Sequence, residues 1–295
     1  MSKQLLLGIM VFFSVIFGFS FVVLKSLLSG GFPIWLLLAC RFCAGALLLL
    51  AARPPAAAPP FDRATLKAGI LVGAVIFFAY AFQTFGLELT SPAKNGLFTG
   101  LYVVIVPFIV MPLKKKADWR PLLTAPLCFV GVALVSGAFA AELTLNLGDA
   151  LTVAGALFFA LHLVLLERFA PALPALNFTV VQLGTVGLLA AALSLLTERG
   201  SYASADWVAA LPGLAFLTVF ATGLAFFFQT FFQSRVAAST TAVILCLESV
   251  FAVVFSVLFG YDSFTLTFTA GSALIVAAML LAALGRPEPL LGAPK

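Results

Sequence analysis

AFQTFGLELTSPAKNG, residues 81–96, and FFQTFFQSRVAASTTA, residues 227–242, decide the fold. Phe82-Gln83-Thr84-Phe85 in the first lies over Phe228-Gln229-Thr230-Phe231 in the second, at an offset of 146 residues, about half of the 295-residue chain. Four matched residues alone carry little weight. Their surroundings carry more, because each stretch closes one long apolar run, crosses a short polar connection and opens another.

Those runs belong in lipid. The chain is 63% hydrophobic and 9% charged, against about 45–50% and about 25% for a soluble domain. Too few charges exist to cover so much apolar surface in water, whereas a bilayer removes the need. A helix needs about 20 apolar residues to cross about 30 Å of hydrocarbon. On that scale ten spans are predicted: Leu5–Leu24, Ile34–Ala52, Leu66–Leu87, Asn95–Met111, Trp119–Ala138, Asp149–Leu166, Ala175–Leu196, Trp207–Phe232, Ser239–Phe259 and Thr265–Leu284. Turn and breaker signals such as SGGFP, RPPAAAPP, TSPAKN, PALPALN and GYDS separate them. The first run follows a single lysine, is too long for the core of a secretory signal and lacks a small-x-small cleavage site, so it is expected to be a retained span.

The offset of 146 carries the third, fourth and fifth spans onto the eighth, ninth and tenth. A slightly smaller one lays FGFSFV, from Phe17, over FALHLV, from Phe159, and Arg41 over Gln182. The halves are residues 1–141 and 142–295, with five spans each, and an odd number forces the second copy to enter from the opposite side. The expected fold class is therefore an all-α membrane protein of ten transmembrane helices in two five-helix inverted repeats. With the N-terminus in the cytoplasm, twelve of the sixteen Lys and Arg fall inside, and only Lys25, Arg41, Lys94 and Arg199 fall outside. Both termini are then cytoplasmic.

Composition also narrows function. The net charge of +5 is scattered over short connections and not gathered on one face, so it reads as membrane topology and no nucleic-acid partner is expected. Cys40 and Cys43 form one CxxC inside an apolar run with no second pair, which is poor metal or redox geometry, and neither a metal nor a cofactor is expected. An intramembrane enzyme would need HExxH, paired aspartates or a Ser/His dyad, and one histidine with no deep aspartate gives little to build one. A channel would call for polar rings or charged vestibules, and a receptor for a soluble domain. The runs show none of these.

FGFSFVVLK in the first span, LACRFCAGALLL in the second, TSPAKNGLFTGLYVVIVPFI in the fourth and LCLESVFAVVFS in the ninth resemble the drug/metabolite transporter superfamily, EamA type, over nearly the whole chain. Among its members the sequence is most similar to the YddG-like amino-acid exporters. Phe17 and Phe159 stand where such proteins often have Trp, and Glu248-Ser249 where they often have Glu-Pro. The resemblance implies secondary transport without ATP hydrolysis, of neutral or aromatic amino acids or another small metabolite, outward across a bacterial inner membrane. Transporters built from inverted repeats commonly place the substrate at the repeat interface near the midplane.

An ionisable side chain in mid-membrane costs at least about 2.5–3.5 kcal/mol, so each such residue faces protein or water and is a candidate site. Glu248, about ten residues from either end of its span, can exchange a proton or receive a substrate ammonium, or can simply bond a neighbouring helix. His162, the only histidine, can couple transport to protons or bond a backbone carbonyl or Ser20, its approximate repeat mate. Arg41 can clamp a carboxylate or snorkel to the outer interface. Polar stripes at the helix period add Tyr80, Gln83 and Thr84 in the third span, Asn95, Thr99 and Tyr102 in the fourth, and Thr222, Phe226, Gln229 and Gln233 in the eighth. They can line a cavity or join helices. Of 32 Phe most face lipid or other helices, with Phe17, Phe159 and Phe226 as candidates for a greasy cavity wall. No catalytic residue is expected.

Overall fold

A computed structural model describes residues 3–53, 61–110, 120–135, 146–236 and 238–283. Lys114, Lys115, Lys116, Arg286 and Lys295, part of the inside charge count, lie outside the described residues, as do the ends of the expected fourth, fifth and tenth spans.

All regular structure among the described residues is helical. The α-helices are α1 (Lys3–Ser29), α2 (Ile34–Ala51), α3 (Arg63–Leu89), α4 (Pro92–Thr99), α5 (Tyr102–Val110), α6 (Arg120–Val135), α7 (Leu147–Phe169), α8 (Ala175–Thr197), α9 (Trp207–Thr218), α10 (Ala225–Gln233), α11 (Ala238–Leu245), α12 (Leu247–Leu258) and α13 (Leu266–Ala283). Seven segments are long and apolar enough to cross a bilayer: 8–29, Ile34–Ala51, Arg63–Leu89, 92–110, 147–172, Ala175–Thr197 and 207–233. Shorter apolar helices, Leu247–Leu258 among them, make up the rest.

Several spans are interrupted where single apolar runs were expected. The 92–110 segment breaks at Gly100 and Leu101 into α4 and α5, and Pro107 inside α5 withholds one further ladder hydrogen bond. The ninth run breaks at Cys246 between α11 and α12. The eighth holds a π-helical segment, Val219–Leu224, between α9 and α10. Such a segment carries one extra residue per turn, a local widening often found at functional sites.

Caps fix the ends. Asp62 accepts from the Thr65 amide at 2.7 Å to start α3, Ser91 caps α4 ahead of Pro92, and Asn146 with Asp149 forms a reciprocal capping box on α7. The start of α2 is capped from outside its own segment. The Glu198 carboxylate, at the end of α8, accepts from the Trp35 and Leu36 amides at 3.0 and 2.8 Å, placing an anion on the positive pole of the helix.

Helix pairs close through small residues, as expected where lipid offers no hydrophobic drive between them. Gly18 of α1 and Gly96 of α4 both abut Ala252 of α12, and a Cβ on either would collide with it. Gly86 of α3 meets Gly148 and Thr152 of α7 in the same way, Gly187 of α8 meets Cys43 of α2, and Gly131 of α6 meets Gly271 of α13. The neighbours follow: α3 lies on α7 and α8, α2 on α8, α6 on α13, and α12 on α1 and α4. Among the described residues, a small cavity lies where α1, α3, α4, α5, α7, α10, α11 and α12 converge.

Candidate functional site

α1 and α7 each turn an aromatic and a polar residue into this cavity, Phe17 with Ser20 and Phe159 with His162. α3 supplies Tyr80 and Gln83 at helical spacing, and α10 supplies Phe226 and Gln229 likewise. The two breaks deliver the rest. Thr99 and Tyr102 flank the α4–α5 interruption, and Glu248 lies two residues after the Cys246 interruption. Interrupted helices thus aim side chains that a straight helix would send elsewhere.

Five rings form a connected wall. Phe17 meets Phe226 at 6.4 Å between centroids, Phe226 meets Tyr80 at 5.9 Å, Tyr80 meets Phe159 at 5.2 Å, and Phe159 meets Tyr102 at 6.4 Å. All these distances lie in the favourable range for edge or offset ring contacts. Glu248 is the only carboxylate lining the cavity among the described residues, and it is buried. The Tyr102 hydroxyl faces it but completes no hydrogen bond of ordinary geometry. Ser249, the next residue, donates to the Gly96 carbonyl at 2.8 Å, which fixes the carboxylate's helix against α4.

The amides and the histidine are partly committed. Gln83 Nε2 donates to Thr99 Oγ1 at 3.1 Å, and His162 Nε2 lies 3.2 Å from Gln182 Oε1. Neither partner foreseen for His162, a backbone carbonyl or Ser20, is the one it takes. Gln182 was legible only as the repeat mate of Arg41.

Five sequence candidates, Asn95, Arg41, Thr84, Thr222 and Gln233, stand off the cavity. Asn95 lies behind it, its Nδ2 donating to the Gln83 carbonyl at 3.1 Å and to Thr152 Oγ1 at 2.7 Å, so that it joins α4 to α3 and α7. Arg41 neither lines the cavity nor reaches the outer interface. It is buried, its Nε donates to Thr222 Oγ1 at 3.0 Å in the π segment, and its guanidinium lies 5.0 Å from the Phe42 centroid and 4.9 Å from that of Tyr80. Tyr80 separates it from the cavity. Thr84 is buried with an unpartnered hydroxyl, and Gln233 donates to the Leu163 carbonyl at 3.0 Å.

The cavity measures about 40 Å³. One water needs about 10–15 Å³ on the same measure, and ligand sites usually offer several hundred. A few waters fit and a metabolite does not.

Sequence reading passed over two polar anchors at opposite ends of α7. At one end Lys25 Nζ donates to the Leu87, Glu88 and Thr90 carbonyls at 2.9, 3.0 and 2.9 Å. Beside it Thr90 Oγ1 donates to Asp149 at 2.6 Å, Lys94 lies 3.8 Å from the same carboxylate, and Asp262 accepts from the Ala93 amide at 3.3 Å. At the other end Glu167 accepts from the Ala238 amide at 2.8 Å, at the start of α11. The offset that pairs Phe17 with Phe159 also pairs Lys25 with Glu167, and that was the signal available.

The sequence model of the EamA-like transporter family matches this chain twice, over residues 5–137 and 146–284. An uncharacterized transporter of Archaeoglobus fulgidus is 31% identical over 219 residues, which cover 74% of this chain and 69% of that protein. A crystal structure of a protein with 20% identity has a TM-score of 0.69 and shares the fold over 96% of this chain and 98% of its own. By both family matches and by that relative, this multi-pass membrane protein belongs to the EamA-like transporter family.

Proposed function

We propose that the chain is a secondary carrier of ten spans, in which two inverted halves, residues 1–141 and 142–295, alternately expose the central cavity to either side of a bacterial inner membrane. Its substrate is a small amphiphile bearing an amine, neutral and aromatic amino acids being the first class to test, and its direction is export. The observation that carries this reading is the composition of the cavity wall. The first, third and fourth spans of one half and their counterparts in the other supply it, with six phenylalanine and tyrosine rings and one carboxylate among the described residues. Helix neighbours agree with a two-fold relation: α2 lies on α8 and α6 on α13, each on its own counterpart, while α1 lies on α12 as α7 lies on α4 and α5. A cavity of about 40 Å³, too small for a metabolite as it stands, suits a carrier better than an open channel.

Glu248 is the group at which a proton exchanges, surrounded by Tyr80 on α3, Tyr102 on α5, His162 on α7 and Cys246 ahead of α12. Proteoliposomes holding the purified protein should accumulate labelled amines or amino acids by counterflow. Flux should vary with pH, and Glu248→Gln should remove that variation. No flux above empty liposomes across a broad metabolite panel would reject the carrier.

A further inference from the structure

We infer that the cavity selects amines lacking a free carboxylate, such as aryl-alkyl amines and amino-acid amides, over the parent amino acids. The inference rests on the carrier reading and names the charge pattern of the substrate.

An amino acid is a zwitterion, and its two ends need opposite partners. The Glu248 carboxylate suits an ammonium, and so do the rings beside it, whose faces attract cations. The carboxylate end has no such partner. Among the described residues no Lys or Arg lines the cavity. The nearest buried cation, Arg41, is held between the Phe42 and Tyr80 rings and tied to Thr222, with Tyr80 standing between it and the cavity. Releasing it would break two ring contacts and one hydrogen bond at once.

The neutral donors on the wall are few and partly taken. One Gln83 proton is bonded to Thr99 and His162 is paired with Gln182. Gln229, the second Gln83 proton and the Thr99 and tyrosine hydroxyls remain, enough for a carbonyl or an amide but without a net positive charge. A substrate carboxylate would also sit in the same small space as Glu248, and like charges brought together in a dry site repel strongly. Phenethylamine satisfies the site, phenylalaninamide satisfies it with a neutral carbonyl added, phenylalanine brings one uncompensated charge, and 3-phenylpropionate brings only that charge.

The test is counterflow in proteoliposomes with these four labelled compounds, which share one ring and differ in charged groups. Phenethylamine and phenylalaninamide should enter at least about tenfold faster than phenylalanine, and 3-phenylpropionate should not enter. Glu248→Gln should cut amine entry by about tenfold or more while its melting temperature stays near that of the parent protein, since the amide keeps the shape of the acid. Phenylalanine entering as fast as its amide, or any entry of 3-phenylpropionate, overturns the inference and leaves the carrier standing. Amine entry unaffected in Glu248→Gln also overturns it. If none of the four enters, and no member of a broader metabolite panel does, the carrier reading falls and this inference with it.

Discussion

Arg41 carries a full charge in an apolar interior and forms no ion pair among the described residues. Its stabilisation comes from the faces of Phe42 and Tyr80 and from one hydroxyl, a combination that a flat guanidinium can satisfy and a point charge cannot. Arg41→Lys should therefore lower stability in detergent by about 1–2 kcal/mol, through loss of the cation–ring contacts and of the Thr222 bond. Arg41→Met removes the buried cation altogether and should stay closer to the parent protein, because an unpaired buried charge is costly to keep. Thermal melts of the three proteins decide it, and a Lys variant more stable than the Met variant would mean that charge, not stacking, is what the site needs. Sequence spacing put Glu248 near mid-membrane and Gln83, Gln229 and Tyr102 on polar stripes, and the cavity gathers them. It could not separate Arg41 and Asn95 from that group. Depth along a helix is readable from the distance to its ends, but the direction of a long side chain depends on which neighbour offers a bond.

Lys25 and Glu167 show how one position in two halves can carry opposite charges for a physical reason. Lys25 gathers three carbonyls at the end of α3, the negative pole of that helix. Glu167 accepts an amide at the start of α11, a positive pole. Each charge suits the pole it meets. Lys25→Met should speed hydrogen exchange at the α3–α4 junction, residues 88–93, by about tenfold, as expected when charge-assisted bonds of about 1.5–3 kcal/mol are withdrawn from a local opening. Residues 238–242 should be unaffected, and Glu167→Gln should show the reverse pattern. Uniform acceleration at both ends in either variant would show global loosening instead of two separate anchors. Packing between spans makes a sharper prediction. Gly18→Val drives a side chain into Phe251 and Ala252 of α12 and should abolish stable folding, whereas Gly8→Val, with open space around it, should express and melt like the parent protein. Glycine and proline between Gly96 and Pro107 mark the fourth span as one expected to bend, and it breaks at Gly100. The break at Cys246 and the π segment were not legible, because hydropathy averages over a whole span and hides a single missing rung of the ladder.

Hydropathy and turn signals could show a multi-pass membrane protein, because burial in lipid is a property of composition. They could not set the state in which the cavity rests. With about 40 Å³ inside, and polar anchors at both ends of α7, the cavity has room for a few waters and none for a metabolite. In the carrier proposed above, one end parts while the other holds. Thr90 and Asp149 sit on opposite halves and are joined at 2.6 Å, so the end they occupy must separate for the cavity to open there. Cysteines placed at these two positions, in a chain whose four native cysteines are replaced, can be bridged by a short thiol cross-linker that reductant cleaves. Counterflow should fall to the level of empty liposomes on bridging and return on reduction. The same protein bridged while saturated with substrate should retain that substrate or release it only toward the Glu167 end. Undiminished counterflow in fully bridged protein would mean that the halves do not part at Thr90 and Asp149. A two-ended rocking motion would then have to give way to a path running between helices within one half.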